Sequence, residues 1–258
     1  MEKSVIIICR TSSKRLKNKS ILKFRNKSVL EYMIKNITKA KIKKKNIYIC
    51  TTHLKEDDKI ETIAKRNKIK ILRGPIKDII LRVKMTFDKF NISQSFITSA
   101  DNPLFMSDLA KKMGNLKNID VTYSESLPTG LNLVFCTKKG INKIYKKYLT
   151  KNNENGFYLY FTKVNLKKKK IKLNFSKFLK KFRFTIDYKE DFIFFKKITS
   201  LLGNQNINIK NLERILNSNE NIENINFEKD KKYQENLRKK VKIYYNYNSR
   251  IIKKINFK

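Results

Sequence analysis

The chain of 258 residues predicts an α/β protein: a largely parallel sheet with helices packed on both faces. Three observations carry this. Between residues 5 and 99, short apolar runs rich in β-branched residues alternate with segments whose apolar residues recur at helical spacing. The first run ends in a loop dense with cations, at the place where open α/β sheets bind ligands. No internal repeat and no Pro/Gly/Ser-rich linker divides the chain, so residues 1–235 read as one domain and 236–258 as a basic, Asn/Tyr-rich tail.

Val5-Ile6-Ile7-Ile8 is apolar on both faces, as a buried first strand must be. The loop after it carries Arg10, Lys14, Arg15, Lys17 and Lys19, with Thr11, Ser12 and Ser13 between them. Such a loop is either a solvated basic turn or a polyphosphate cradle, whose cations could neutralise a triphosphate and the charge that develops at a reacting phosphorus. Val29 to Ile37 places Val29, Leu30, Met33, Ile34 and Ile37 on one helical face, with Ser28 as N-cap. Asn46 to Thr51 is the second strand, and Glu56 to Asn67 a helix with Ile60, Ile63 and Ala64 inward. Ile69 to Leu72 is a short strand ended by a turn at Arg73-Gly74-Pro75. Asp78 to Phe90 returns to helical spacing through Ile79, Ile80, Val83 and Phe87, and Ser95 to Ser99 is the next strand.

Just past that strand, Asp101 lies in Ala100-Asp101-Asn102-Pro103-Leu104. An aspartate fixed there by an Asn-Pro turn is placed to hold a divalent cation, or serves the turn alone. Further on, Phe182 to Ile186 reads as a strand, after which Asp187 opens a helix with Phe192, Phe195 and Ile198 on one face. Asp187 as N-cap with Glu190 three residues on would make a capping box.

Composition narrows the function classes. The net charge of +39 suggests a nucleic-acid or anionic-membrane partner. Against this, the lysines are spread along the whole chain, and Lys, Ile and Asn abound while Gly, Pro and Trp are scarce, as AT-biased coding produces. His53 is the single histidine, which argues against a Ser-His-Asp hydrolase or a multi-histidine zinc site. Cys9, Cys50 and Cys136 have no metal-ligand spacing and fit a reduced, cytoplasmic setting, with Cys9 and Cys50 as small core residues. There is no signal-peptide pattern and no run of 18 apolar residues, so neither secretion nor membrane insertion is expected.

Arg10, Ser13, Arg15, Leu16 and Lys19 stand in the register Arg-x-x-Ser-x-Arg-Leu-Pro-x-Lys, with Lys17 where proline is usual. This resembles the first loop of nucleotidyltransferases that make CMP-activated sugars, in particular cytidylyltransferases of the spore coat polysaccharide biosynthesis protein F type, related to the acylneuraminate and KDO cytidylyltransferases. The resemblance runs over roughly residues 4 to 235, and Leu212 to Glu228 is similar to the family's terminal helical region. It implies a three-layer αβα sandwich of the Rossmann-like nucleotide-diphospho-sugar transferase fold. It also implies transfer of CMP from CTP to a sugar, an acidic one, with release of pyrophosphate, for surface polysaccharide or glycan precursors.

The site residues follow from that resemblance. Arg15 and Lys19 would be catalytic, Arg10, Ser13, Thr51 and Arg73 would surround the nucleotide, and Asp101 and Asp187 would share a magnesium ion at one sheet edge. Thr51-Thr52 with Glu56-Asp57-Asp58 resembles the segment bordering the base. Arg73-Gly74 with Asp78 to Arg82 resembles an Arg-Gly…Asp-x-Leu-x-Arg segment, in which Arg82 would cap its helix. Asn132 and Val134 replace acids of the family's sugar half, and Glu154-Asn155-Gly156-Phe157 lacks its His and Thr. The implied partners are CTP and a sugar, with no specific nucleic acid; a homodimer is left open. Two alternatives remain: a glycosyltransferase of related fold, for which Asp101-Asn102-Pro103 does not supply Asp-x-Asp, and a basic nucleic-acid-binding protein, for which no recognition motif is present.

Overall fold

The computed structural model describes residues 2–113, 118–148, 156–219, 221–230, 235, 244–247 and 251–254. Val5–Ile8 forms strand β1. Val5 and Ile7 enter one apolar core and Ile6 and Ile8 another, because a strand without a polar face has to lie between two layers. After the basic loop, a hairpin of β2 (Lys23–Phe24) and β3 (Lys27–Ser28) turns through Arg25 and Asn26, both at positive φ, and delivers Ser28 to α1 (Val29–Lys39). Ser28 Oγ accepts from the Glu31 N–H at 3.2 Å, and a Glu31 carboxylate oxygen accepts from the Ser28 N–H at 2.8 Å. That closed capping box contributes roughly 1 kcal/mol to helix initiation.

β4 (Ile47–Thr52), α2 (Asp58–Arg66), β5 (Lys70–Gly74), α3 (Ile79–Lys89, capped by Asp78) and β6 (Gln94–Ser99) fall close to their predicted bounds. Arg73 and Gly74 differ: they end β5 and are not in a turn. The chain continues through α4 (Ser107–Lys112), β7 (Val121–Ser124), β8 (Val134–Thr137), α5 (Lys138–Lys147), α6 (Phe157–Lys163), β9 (Lys168–Ile171), α7 (Lys189–Leu202) and α8 (Ile209–Asn217). In the segment predicted as a tail, β10 (Tyr244–Tyr247) and β11 (Ile251–Lys254) pair antiparallel; the remainder of 236–258 lies outside the described residues, as does Asn155.

The main sheet has seven strands in the order β5-β4-β1-β6-β8-β7-β9. Only β8 runs against its neighbours; the other pairings are parallel. Side chains from α1, α2, α4, α7 and α8 pack on one face, and those from α3, α5 and α6 on the other, giving the three-layer αβα sandwich. Ile8 pairs with Cys50 on one side and Ser99 on the other, so β4, β1 and β6 present their C-terminal ends along one edge.

One predicted strand is not in the sheet. Phe182 to Ile186 is an extended strap, with Phe182, Phe184 and Ile186 buried, that crosses the sheet edge. It is fixed where the Phe184 N–H donates to the Thr129 carbonyl at 2.7 Å and the Ile186 N–H to the Asp101 carbonyl at 2.8 Å. Gly130 admits this crossing: its φ is +96°, and a Cβ there would lie 2.4 Å from both Phe184 C and Thr185 N. The capping reading of Asp187 is also corrected. The first turn of α7 is closed by Asp191, whose carboxylate accepts from the N–H groups of Asp187 and Tyr188 at 2.9 Å each. Asp187 therefore keeps its own carboxylate for the site.

Candidate active site

The β1 loop closes on itself. The Thr11 carbonyl accepts from the N–H groups of Ser13 (2.8 Å) and Asn18 (3.2 Å), and Asn18 adopts the left-handed conformation that asparagine tolerates. A second fastening is Asp57, fully buried. It accepts from Thr11 N (2.8 Å) and Thr11 Oγ1 (2.7 Å) in the loop, and from Thr51 Oγ1, Thr52 N and Thr52 Oγ1 at the end of β4. Burial alone would push the Asp57 carboxyl up; the hydrogen bonds from Thr52, Thr11 and Thr51 outweigh it and hold the group below its ordinary value. The loop is thus rigid without a proline at position 17.

So fastened, the loop directs its cations into a cavity of about 810 Å³ at the C-terminal edge of the sheet. Arg10, Ser13, Arg15, Lys19, Asp101 and Asp187 all line it. Lys19 Nζ donates to Asp101 Oδ2 at 2.6 Å and to Asp187 Oδ1 at 2.7 Å, so one ammonium joins carboxylates from two distant segments. Arg15 Nη2 donates to the same Asp187 oxygen at 2.6 Å, while the Arg15 guanidinium sits 5.6 Å over the Tyr188 ring. On its other oxygen, Asp187 accepts from Arg183 Nη2 at 2.9 Å. Arg183 is buried and reaches Asp191 (3.1 Å) and Asp230 (2.9 Å) as well.

These charges set the protonation states. Burial opposes the ionised Asp187, but Lys19, Arg15 and Arg183 more than offset it and bring its pKa down to about 2. Burial likewise opposes a charged Lys19, yet Asp101 and Asp187 lift its pKa above the ordinary value. At neutral pH the site therefore holds an ionised Asp187 carboxylate against a charged Lys19 ammonium. Burial pushes the Cys9 thiol up to about 12 and the Cys50 thiol to about 11, so neither is a nucleophile.

Two predicted nucleotide contacts lie elsewhere. Thr51 is buried against Asp57, and Arg73 braces the β4–α2 connection by donating to the carbonyls of Thr52 (2.9 Å) and Leu54 (2.6 Å) and to Asp58 and Glu61. Neither lines the cavity. Arg82 does line it, and does not cap its helix. Sequence reasoning missed Asp57 and Arg183 as site supports. Arg183 had a usable signal: in an extended segment residues 183, 185 and 187 share one face, so Arg183 and Asp187 are neighbours.

Among described residues no cluster of three or more His, Cys, Asp and Glu could hold a metal, and no helix is long and apolar enough to cross a membrane. Asp101 and Asp187 remain as two hard oxygen donors at one point.

Known proteins resemble the chain in fold or sequence over 78% to 89% of its length. A cytidylyltransferase from Leptospira borgpetersenii serovar Hardjo-bovis superposes with a TM-score of 0.76 at 23% identity, over 86% of this chain and 96% of that one. A CMP:2-keto-3-deoxy-manno-octonic acid synthetase complexed with CTP superposes with a TM-score of 0.55 at 10% identity, over 78% of this chain and 99% of that one. An uncharacterised protein of Methanocaldococcus jannaschii is 28% identical over 236 residues, which is 89% of this chain and 97% of that protein. Residues 4–254 match the family model described as cytidylyltransferase, and the chain belongs to that family.

Proposed function

We propose that the chain transfers CMP from CTP to a hydroxyl of an acidic sugar and releases pyrophosphate, as a cytidylyltransferase of the spore coat polysaccharide F type supplying glycan precursors. The observation that carries the reading is the convergence of Arg15, Lys19, Asp101 and Asp187 on one point of the cavity. A triphosphate is the substrate group that such a set of cations and hard carboxylate donors fits best. The cavity is large enough for a nucleotide and part of a second substrate.

Asp101 and Asp187 suit magnesium, which keeps several waters and needs one or two carboxylates plus substrate phosphates. When bound, it would supply Lewis-acid polarisation of the α-phosphate. The residues do the rest. Arg10, Ser13 and Lys19 bind the phosphates along the β1 loop, which Thr11 and Asp57 preorganise. Arg15 and Lys19 donate to the oxygens on which charge accumulates as pyrophosphate leaves, each contributing about 2–4 kcal/mol if they act as preorganised donors do. Arg183 holds Asp187 at a fixed position and keeps it ionised. The sugar hydroxyl attacks the α-phosphorus in line, and no side chain forms a covalent intermediate.

The test is pyrophosphate release from each of the four ribonucleoside triphosphates against a panel of sugar acids. Turnover with CTP and a sugar acid, dependent on a divalent cation, is expected. Turnover with another triphosphate and none with CTP would refute the reading.

A further inference from the structure

Tyr188 follows Asp187 directly and stands at the start of α7, with three cations around its ring. The Arg15 guanidinium lies 5.6 Å from the ring centroid, the Arg183 guanidinium 5.9 Å and the Lys229 ammonium 5.9 Å. All are within the roughly 6 Å at which the negative face of an aromatic ring attracts a cation. Three like charges so close would repel one another, and each has a carboxylate to offset it: Asp187 for Arg15, Asp187, Asp191 and Asp230 for Arg183, Glu190 for Lys229. The ring is fixed from its backbone, since the Tyr188 N–H donates to Asp191 at 2.9 Å. Its hydroxyl is buried with no hydrogen-bond partner among the described residues, and Tyr188 does not line the cavity, so the hydroxyl is not held for a ligand. What this side chain supplies is its π face.

Of the three cations, Arg15 has the most use for that face. Arg183 is buried and its three nitrogens each meet a different carboxylate, which already sets its plane. Lys229 does not line the cavity. Arg15 does, its side chain is 32% exposed, and its ion pair is with Asp187 Oδ1, an oxygen it shares with Lys19. A divalent cation on Asp187 would compete with Arg15 for that oxygen. It would not compete for the ring, because such hard cations take oxygen ligands, whereas a planar guanidinium stacks on aromatic faces.

We propose that Tyr188 is a positioning residue for Arg15: its ring keeps the guanidinium at the phosphate end of the cavity while Asp187 serves a metal. The proposal rests on the role given to Arg15 above. The ring carries the effect and the hydroxyl does not.

The experiment is a double-mutant cycle of Arg15→Met with Tyr188→Leu, with Tyr188→Phe as the conservative variant. Two readouts are taken on the full chain: kcat and KM with CTP, and calorimetric titration with inorganic tripolyphosphate, which needs neither base nor sugar. Tyr188→Phe should stay within about twofold of wild type in both and melt no lower, since it removes only an unpaired hydroxyl. Tyr188→Leu should lower kcat and tripolyphosphate affinity about three- to tenfold, the scale of one cation–π contact, and leave KM within about twofold. In the Arg15→Met background the same replacement should cost less than about twofold more, because the two residues act as one. Equal losses for Tyr188→Phe and Tyr188→Leu would give the role to the hydroxyl. Multiplying losses in the double variant would show that the ring acts apart from Arg15. Unchanged behaviour of Tyr188→Leu, or failure of both it and Tyr188→Met to fold, would make Tyr188 a structural residue; each of these overturns the proposal. If CTP is not turned over but the tripolyphosphate cycle is non-additive, the CTP reading falls and the positioning role stands. If CTP is turned over and the cycle is additive, the CTP reading stands and the positioning role falls.

Discussion

Replacing Asp187 or Asp101 by asparagine separates the chemistry of the site from its stability. Both variants should lose turnover, because both remove a hard anionic donor from the point where Lys19 joins the two segments. Their folding should differ. The Asp187 side chain is 2% exposed and accepts from three cations, whereas that of Asp101 is 23% exposed and accepts from Lys19 alone among the ion pairs of described residues. Lowering the Asp187 carboxyl from 3.8 to about 2 corresponds to about 2–3 kcal/mol of native-state stabilisation. Asparagine forfeits that amount and takes one of three carboxylates away from the buried Arg183, which keeps Asp191 and Asp230. At roughly 2–4 °C per kcal/mol for a chain of this size, Asp187→Asn should lower Tm by about 5–10 °C, and Asp101→Asn by no more than about 2 °C. The pH dependence has a definite sign. A carboxyl whose folded pKa lies below its unfolded one stabilises fully above the unfolded value, near 4, and loses that contribution as pH falls through about 2. The melting difference between wild type and Asp187→Asn should therefore be constant from pH 5 to 7 and close on acidification, within roughly the pH 4 to 2 window. Calorimetric scans across pH check this. Equal Tm for Asp187→Asn and wild type at pH 7 would refute the buried counter-ion argument, and retained turnover in either variant would refute the shared site.

Lys19→Ala should lower kcat for CTP about 10²–10³-fold while manganese, titrated without nucleotide, binds at least as well as to wild type, because the ammonium no longer competes for Asp101 and Asp187. Weaker manganese binding would mean that the carboxylates are not its ligands. Gly130→Ala should destabilise by more than about 2 kcal/mol, read as a Tm loss, since its Cβ would overlap the Phe184–Thr185 backbone at a positive φ. An unchanged Tm would show that the strap can shift freely. Binding of DNA or RNA, measured by anisotropy, should fade steeply between low and physiological salt, as a diffuse charge of +39 dictates. Tight, sequence-selective binding at physiological salt would instead point to a dedicated nucleic-acid surface.

What was legible in the sequence is what local pattern encodes. β1, β4, β5, β6 and α1 to α3 alternate with the periods of strand and helix, and several begin or end on punctuation that has a mechanism: Ser28 with Glu31, Asp78, Asn102-Pro103. Past residue 104 the helical pattern still marks α7, but the strands are not legible, for physical reasons. β7 to β9 are four residues each, and β9 is Lys168-Lys169-Lys170-Ile171 at the sheet edge, too polar to stand out in so basic a chain. Phe182 to Ile186 has strand periodicity because it is extended, with Phe182, Phe184 and Ile186 alternating with Arg183 and Thr185, all buried, but it pairs with the Thr129 and Asp101 carbonyls and not with a strand, a distinction that alternation alone cannot make. The site divides in the same way. Asp101 and Lys19 sit at the ends of recognisable elements, so their meeting follows from topology. Asp57 and Arg82 owe their places to what lies across from them: threonines that satisfy one, and nothing within the described protein that satisfies two nitrogens of the other. Burial with partners and burial without them look alike in a sequence, yet they argue opposite roles. The satisfied aspartate fixes the loop whether or not substrate is present, whereas a buried guanidinium with two unsatisfied nitrogens costs folding free energy that a fully paired one does not.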